Sequence, residues 1–344
     1  MKWLDGQYPY EYKTYHSYSE GDPSEEPMPY GKYWNGYLVF LRPLLCFFTY
    51  DGIYFGTYRL LAVMLILSVI LMLFRNRVFV VPFSLAFLTL RPFSKFCLTY
   101  AVMEILLLVF LDIAVLDKRI HTPGKTRSVF FVLMGVVSVY FTLLQFSFII
   151  PLFTALYLVF SDQQMLLRRV SALNRMLCDI FEYAVGFCAM WAGKWVILAV
   201  FAPDGVSYLL QSIKLRSSSN DGGEIITLKD VLLWNGCGFY YKNRALIWSA
   251  AVLAVAVLIT VVLLIMVRRK DSSAKFVTVG EALTAVAALF SVLIRYILLM
   301  NHSRVHYFFM NRLMSAVVLA ILALVFMIMT RIAYALSGKQ RKTE

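Results

Sequence analysis

The run Asn301-His302-Ser303-Arg304-Val305-His306-Tyr307-Phe308-Phe309 is a short polar interruption between two apolar stretches near the C-terminus. Two of the chain's 4 histidines stand in it, with Arg304 between them and Arg312 just beyond. Imidazole and guanidinium groups gathered at one point suit a phosphate, because ionised donors make short, strong hydrogen bonds to its oxygens. The i, i+4 spacing of His302 and His306 also matches a pair of metal ligands on a helix. No glutamate lies between them and no third ligand is near, so the pattern points to an anion and not to a metal. Asn301-His302-Ser303 fits a glycosylation sequon, but one too close to an apolar run to be reached.

Two further cations, Lys194 and Arg295, stand inside apolar runs. A charge at membrane depth costs roughly 2.5–3.5 kcal/mol on insertion scales, so each needs a physical reason. If their two helices are neighbours, Lys194, Arg295, His302, Arg304 and His306 form one basic cluster at headgroup level, suited to a lipid phosphate or pyrophosphate. The alternative is snorkelling, in which each long side chain simply reaches the interface. Glu104 and Asp112 share one apolar run and are expected to meet internal partners such as Arg295 or a backbone carbonyl.

The elements that carry these residues follow from composition. Hydrophobic residues make up 60% of the chain and charged residues 15%, against roughly 25% charged in soluble domains. Most of the chain must therefore face lipid. The net charge of +13 does not signal nucleic acid, because the bases gather at the ends of apolar runs, where they set orientation. The 5 cysteines are scattered without CxxC or Cys/His zinc spacing and read as small apolar packers.

A bilayer core needs roughly 20 apolar residues per helix. The pattern predicts an all-α polytopic membrane protein with about nine transmembrane helices, near 57–74, 78–94, 96–116, 128–146, 147–160, 181–201, 245–267, 278–300 and 313–330. With the N-terminus outside, the short outside loops hold only Arg91, Lys95, Arg304 and Arg312. The inside segments then carry the rest, including Arg75 and Arg77, Lys118 and Arg119, Arg168 and Arg169, and Arg268 to Lys270. That asymmetry predicts a multi-pass protein of the cell membrane with its C-terminus cytoplasmic. Residues 1–56 form a polar extracytoplasmic lead with an interfacial piece around 37–48, broken at Arg42-Pro43. Residues 57–330 are the transmembrane domain. Within it lie an inner amphipathic helix over 161–180 and an outer connection over 202–244, with a short amphipathic piece near 205–215. Residues 331–344 are a cytoplasmic basic tail.

Three blocks carry a resemblance. Tyr33-Trp34-Asn35-Gly36-Tyr37-Leu38-Val39-Phe40-Leu41-Arg42-Pro43-Leu44-Leu45 resembles a "YWhGYLvlLRPLL" motif, and Tyr183-Ala184-Val185-Gly186-Phe187 with Met190-Trp191-Ala192-Gly193-Lys194-Trp195 resembles "GYagMWaGKW". Asn301 to Phe309 is similar to "NHSyiHyfFtyRa". Together they resemble a largely uncharacterised family of bacterial multi-spanning membrane proteins related to GT-C glycosyltransferases, which transfer sugars from polyprenyl-phosphate donors on the outer leaflet. The resemblance implies a GT-C-like fold here, with an N-terminal helix of the family missing and its acidic outside segment shortened. It also implies a polyprenyl-phosphate lipid as partner.

Inverting transfer needs a carboxylate to activate the acceptor hydroxyl and cations to hold the departing phosphate. The candidate bases are Asp5, Asp22, Glu25 and Glu26; the candidate phosphate cations are Lys194, Arg295, His302, Arg304 and His306; Trp34 and Arg42 would line the cavity. A divalent cation is the one cofactor such transfer would call for. The other expectation is a non-catalytic lipid-phosphate-binding or transport protein.

Overall fold

In hydrocarbon every backbone N–H and C=O must be paired within the segment, so apolar runs fold as helices. The computed structural model bears this out. It describes residues 34, 36–93, 98–141, 148–161, 172–221, 224–241, 243–268 and 276–337. These residues are helical apart from turns and a two-residue ladder, in which Asn220–Asp221 (β1) pairs antiparallel with Glu224–Ile225 (β2). The candidate bases Asp5, Asp22, Glu25 and Glu26 lie outside the described residues.

Each expected span coincides with a helix. These are α2 (Tyr50–Arg75), α3 (Arg77–Thr89), α4 (Leu98–Leu116), α6 (Lys125–Phe141), α7 (Ile149–Ser161), α8 (Ala172–Phe201), α11 (Arg244–Arg268), α12 (Val279–Leu298) and α15 (Met314–Leu336). Among the described residues, 6 helices are long and apolar enough to cross a membrane, which makes this a multi-spanning membrane protein: α2, α4, α8, α11, α12 and α15. Helices α3 and α7 are apolar but short. α7 runs through the core: every residue from Ile149 to Phe160 is buried. A 13-residue helix rises about 20 Å, less than the bilayer core, and here protein rather than lipid surrounds it. α11 is the opposite case, exposing Trp248, Leu258 and Ile265 along its length.

Helices α6 and α8 cross at two glycines. A Cβ on Gly135 would collide with the carbonyl oxygen of Tyr183, and one on Gly186 with that of Val132. Small residues at such a crossing let two backbones approach closely, the main source of helix association where lipid removes the hydrophobic drive. Three ion pairs add further ties. Arg127 of α6 holds Asp179 of α8, Arg312 holds Glu104 of α4, and Arg331 of α15 holds Glu281 of α12. Burial of Glu104 is thus offset by Arg312 at 3.3 Å and not by Arg295. The reason is topological: Arg312 sits in the 3₁₀ turn Asn311–Leu313 that leads into α15, over Tyr100 of α4.

Three boundaries differ from expectation. Residues 172–180, expected in a separate amphipathic surface helix, are the first turns of α8, which continues unbroken to Phe201; 162–171 lie outside the described residues. The 202–244 connection holds two helices, α9 (Asp204–Ser217) and α10 (Leu228–Tyr240), around the β1–β2 ladder. Arg331, expected in the tail, lies inside α15 and is spent on Glu281.

Candidate functional site

The polar interruption folds as two short helices, α13 (Met300–Val305) and α14 (Tyr307–Met310), packed under α9 and α10. Asn301 fastens the arrangement. Its backbone N–H donates to the carbonyl of Ser218 at 3.1 Å and its side-chain amide to that of Asn220 at 3.0 Å. Asn235 of α10 donates to the carbonyls of Val231 and Ser303. The sequon asparagine is therefore buried and engaged. On α10, Thr227 and Asp230 form a capping box, the hydroxyl accepting from the Asp230 N–H and the carboxylate accepting from that of Thr227. The Thr227 contacts, with a smaller contribution from the Arg304 charge, hold the Asp230 carboxyl below the usual carboxylate range.

At this junction the rings of His302 and His306 lie 4.6 Å apart between centroids. Arg216, at the end of α9, brings its guanidinium Nη1 to 3.0 Å from His306 Nε2. A guanidinium has only donors, so His306 Nε2 is the acceptor and its ring is neutral with the proton on Nδ1. Arg304 stacks its guanidinium over Trp234 of α10 at 4.3 Å. His302 is buried, while His306, Arg304 and Arg216 are half-buried. The result is a compact basic site at a helix junction, with the remaining guanidinium donors available to oxyanion oxygens.

The other two expected cations have partners of their own. Lys194 places its ammonium 5.2 Å from the Trp34 ring, and Trp34 donates its indole N–H to the carbonyl of Met190 at 3.2 Å. Arg295 is buried with its guanidinium 4.7 Å from the Phe148 ring, at the entry to α7. The single five-residue cluster is thus resolved into a His302–His306 pair joined by Arg216, and three cations each stacked on a separate aromatic. Arg42 lies on the exposed side of α1 (Leu38–Leu45), whose other side, with Phe40, Leu41 and Leu44, faces a cleft.

Arg216 was missed because it lies just past the amphipathic piece expected near 205–215 and 90 positions from His306, so no spacing links the two. The available signal was the Lys214/Arg216 pair ending an amphipathic stretch. Among the described residues, no three His, Cys, Asp or Glu side chains come together as metal ligands. With the guanidinium groups of Arg216 and Arg304 beside His302 and His306, the surroundings are cationic and do not fit a divalent cation. Comparison with protein-family models, with curated proteins and with solved structures finds no match to this chain.

Proposed function

We propose that this membrane protein binds a lipid phosphate at the surface formed by α9, α10, α13 and α14, through Arg216, His302 and His306. The observation that carries the reading is the Arg216–His306 contact, with the His302 ring 4.6 Å from that of His306 between centroids. An arriving phosphate offers the guanidinium an acceptor richer than His306 Nε2, and the imidazole N–H groups can donate to its oxygens as well. Arg304, its guanidinium 4.3 Å from the Trp234 ring centre, adds positive potential at the rim.

In the fuller reading, the phosphate belongs to a polyprenyl-phosphate-linked sugar at the outer leaflet, and the protein is a GT-C-like glycosyltransferase with its N-terminus outside. The cations would then stabilise the negative charge on the phosphate as it leaves the sugar. Glu104, Asp179 and Glu281 are each held by an arginine and are poorly placed to act as base. The candidate bases in this reading are Asp22, Glu25 and Glu26 of the acidic N-terminal lead. The same observation on Glu104, Asp179 and Glu281 favours the alternative, a non-catalytic lipid-phosphate binder.

The test is binding of a short-chain polyprenyl monophosphate to purified protein, compared with the matching uncharged alcohol. Arg216→Ala and His302→Ala should each weaken the phosphate lipid about tenfold, the scale of one charge-assisted contact, and leave the alcohol unchanged. Equal binding by wild type and both variants would rule out this site. Sugar transfer from the loaded lipid would then separate enzyme from binder.

A further inference from the structure

A cleft of about 450 Å³ opens on the flank of the bundle between α1, α2, α4 and the end of α6. Its size lies within the roughly 300–1,000 Å³ usual for ligand sites. Helix α1 turns Phe40, Leu41 and Leu44 toward it, α2 contributes residues from Ile53 to Leu60, and α4 residues from Leu98 to Leu106. The walls are apolar; Thr57, one of the few polar side chains among them, gives its hydroxyl to the carbonyl of Ile53. Seven to eight residues of helix advance about 10–12 Å, so the cleft is long enough to take a stretch of hydrocarbon chain but shorter than half of a core about 30 Å thick.

At its head the cleft is joined to a cation by a continuous run of rings. Phe141, which lines the cleft, stacks with Phe40 at 5.7 Å and meets Tyr140 edge-on at 4.9 Å. Tyr140 lies 5.8 Å from Trp34, and the Lys194 ammonium sits 5.2 Å over the Trp34 ring. The run is held in place by Gly36, whose N–H donates to the Tyr140 carbonyl at 2.8 Å and whose position leaves no room for a Cβ against the Tyr140 ring. An apolar slot with aromatics at its mouth and an ammonium beyond them matches a long-chain lipid in which the chain carries an anionic head.

We infer that this cleft holds the hydrocarbon chain of one membrane lipid bearing a terminal phosphate, with the phosphate drawn toward Lys194. The lipid position has its own cation and does not draw on Arg216, His302 or His306, so it stands or falls separately from the site proposed above. It gives Lys194 a role as headgroup contact, and explains why a helix as short as α1 lies against α2: it forms the outer wall of the slot.

The experiment uses the full chain in phosphatidylcholine nanodiscs with two probes, a diazirine-bearing polyprenyl monophosphate and the matching polyprenol. Labelled peptides are mapped by mass spectrometry. Labelling by the phosphate probe is expected to concentrate on α1, α2 and α4. Leu60→Trp and Val102→Trp, which fill the slot, should each reduce it roughly tenfold, while Phe74→Trp, on the exposed flank at the far end of α2, should not. Lys194→Ala should bring labelling by the phosphate probe down to the level of the alcohol. Melting curves for each variant identify any that fail to fold, and the two filling variants are independent of one another. Labelling as strong on the exposed face of α11 as in the slot, or undiminished in both folded filling variants, would overturn the inference and leave the slot to ordinary surrounding lipid. Labelling that survives in Arg216→Ala but not in Lys194→Ala would support this position whatever the fate of the other site.

Discussion

Arg127 and Asp179 meet as a two-pronged pair, Nε to Oδ1 at 2.6 Å and Nη2 to Oδ2 at 2.5 Å, with both side chains buried. The same guanidinium donates to the carbonyl of Ile120 at 3.2 Å, so it ties the short helix α5 (Lys118–His121) to α8 as well. Ser128 donates to Glu182 one turn along, which extends the contact. Removing one member of such a pair strands the other charge in a low-dielectric interior, at a cost of about 3–5 kcal/mol. Asp179→Ala and Arg127→Ala should each lower the melting temperature of the purified protein sharply. The apolar double variant Arg127→Met/Asp179→Leu should lie nearer wild type than either. Single variants that melt like wild type would show that the pair does not hold α6 to α8.

The glycine crossing makes a second prediction. Gly135→Ala and Gly186→Ala place a methyl group against opposing backbone, which cannot yield as a side chain can. Overpacking of this kind costs about 1–3 kcal/mol. Gly193→Ala, on the same helix as Gly186 but in open space, is the control and should melt like wild type or slightly higher. A common melting temperature for all three would dismiss the close crossing.

Glu281 does two things at once. It accepts from the Thr278 N–H at 2.9 Å as the end of a capping box, and it binds Arg331 through both oxygens. Glutamine can serve in a capping box but cannot balance a guanidinium. Glu281→Gln should therefore destabilise less than Glu281→Ala, which loses both. Thermal unfolding of the two side by side checks the order; a reversed order would mean the cap contributes nothing.

Asp230 offers a pH-dependent reading of the proposed site's roof. Its carboxyl is held below the ordinary value in the folded chain, first by the Thr227 hydroxyl and backbone N–H. The stabilisation is therefore fully present above the unfolded value of about 3.9 and is lost as pH falls through the lowered folded value. Amides in the first turn of α10 should exchange faster below that point once the intrinsic pH dependence of exchange is removed. In Asp230→Asn the step should vanish. A step that persists in the variant belongs to another group.

Much of the helical framework was legible in the chain. Among the described residues each expected span overlaps a helix, and 6 helices are long and apolar enough to cross a membrane, where the backbone must be paired within the segment. Length and hydropathy alone could not tell that α7, broken in appearance by Pro151, would be the buried centre, since a run of apolar residues reads the same whether lipid or protein surrounds it. Within the connection over 202–244 the amphipathic piece expected near 205–215 matches α9, whereas α10 was not expected; it is mixed in polarity and its start is marked by the local cap Thr227–Asp230. At the site, His302 and His306 were evident from their spacing. Arg216 was not.

The sequence by itself therefore determined that this is a helical membrane protein, where its apolar helices lie, and that cations collect near one polar interruption. Those properties depend on composition and on neighbours within a turn or two. Only the tertiary structure decided which charge meets which partner. Arg312 reaches Glu104 across 208 positions, Arg127 reaches Asp179 across 52, and Arg216 reaches His306 across 90. A hydropathy pattern places a residue at a depth in the membrane but does not say which helix stands beside it. That adjacency comes from packing, here from crossings such as Gly135 on Gly186, and it alone separates Lys194 beside Trp34 from the histidine pair beside Arg216.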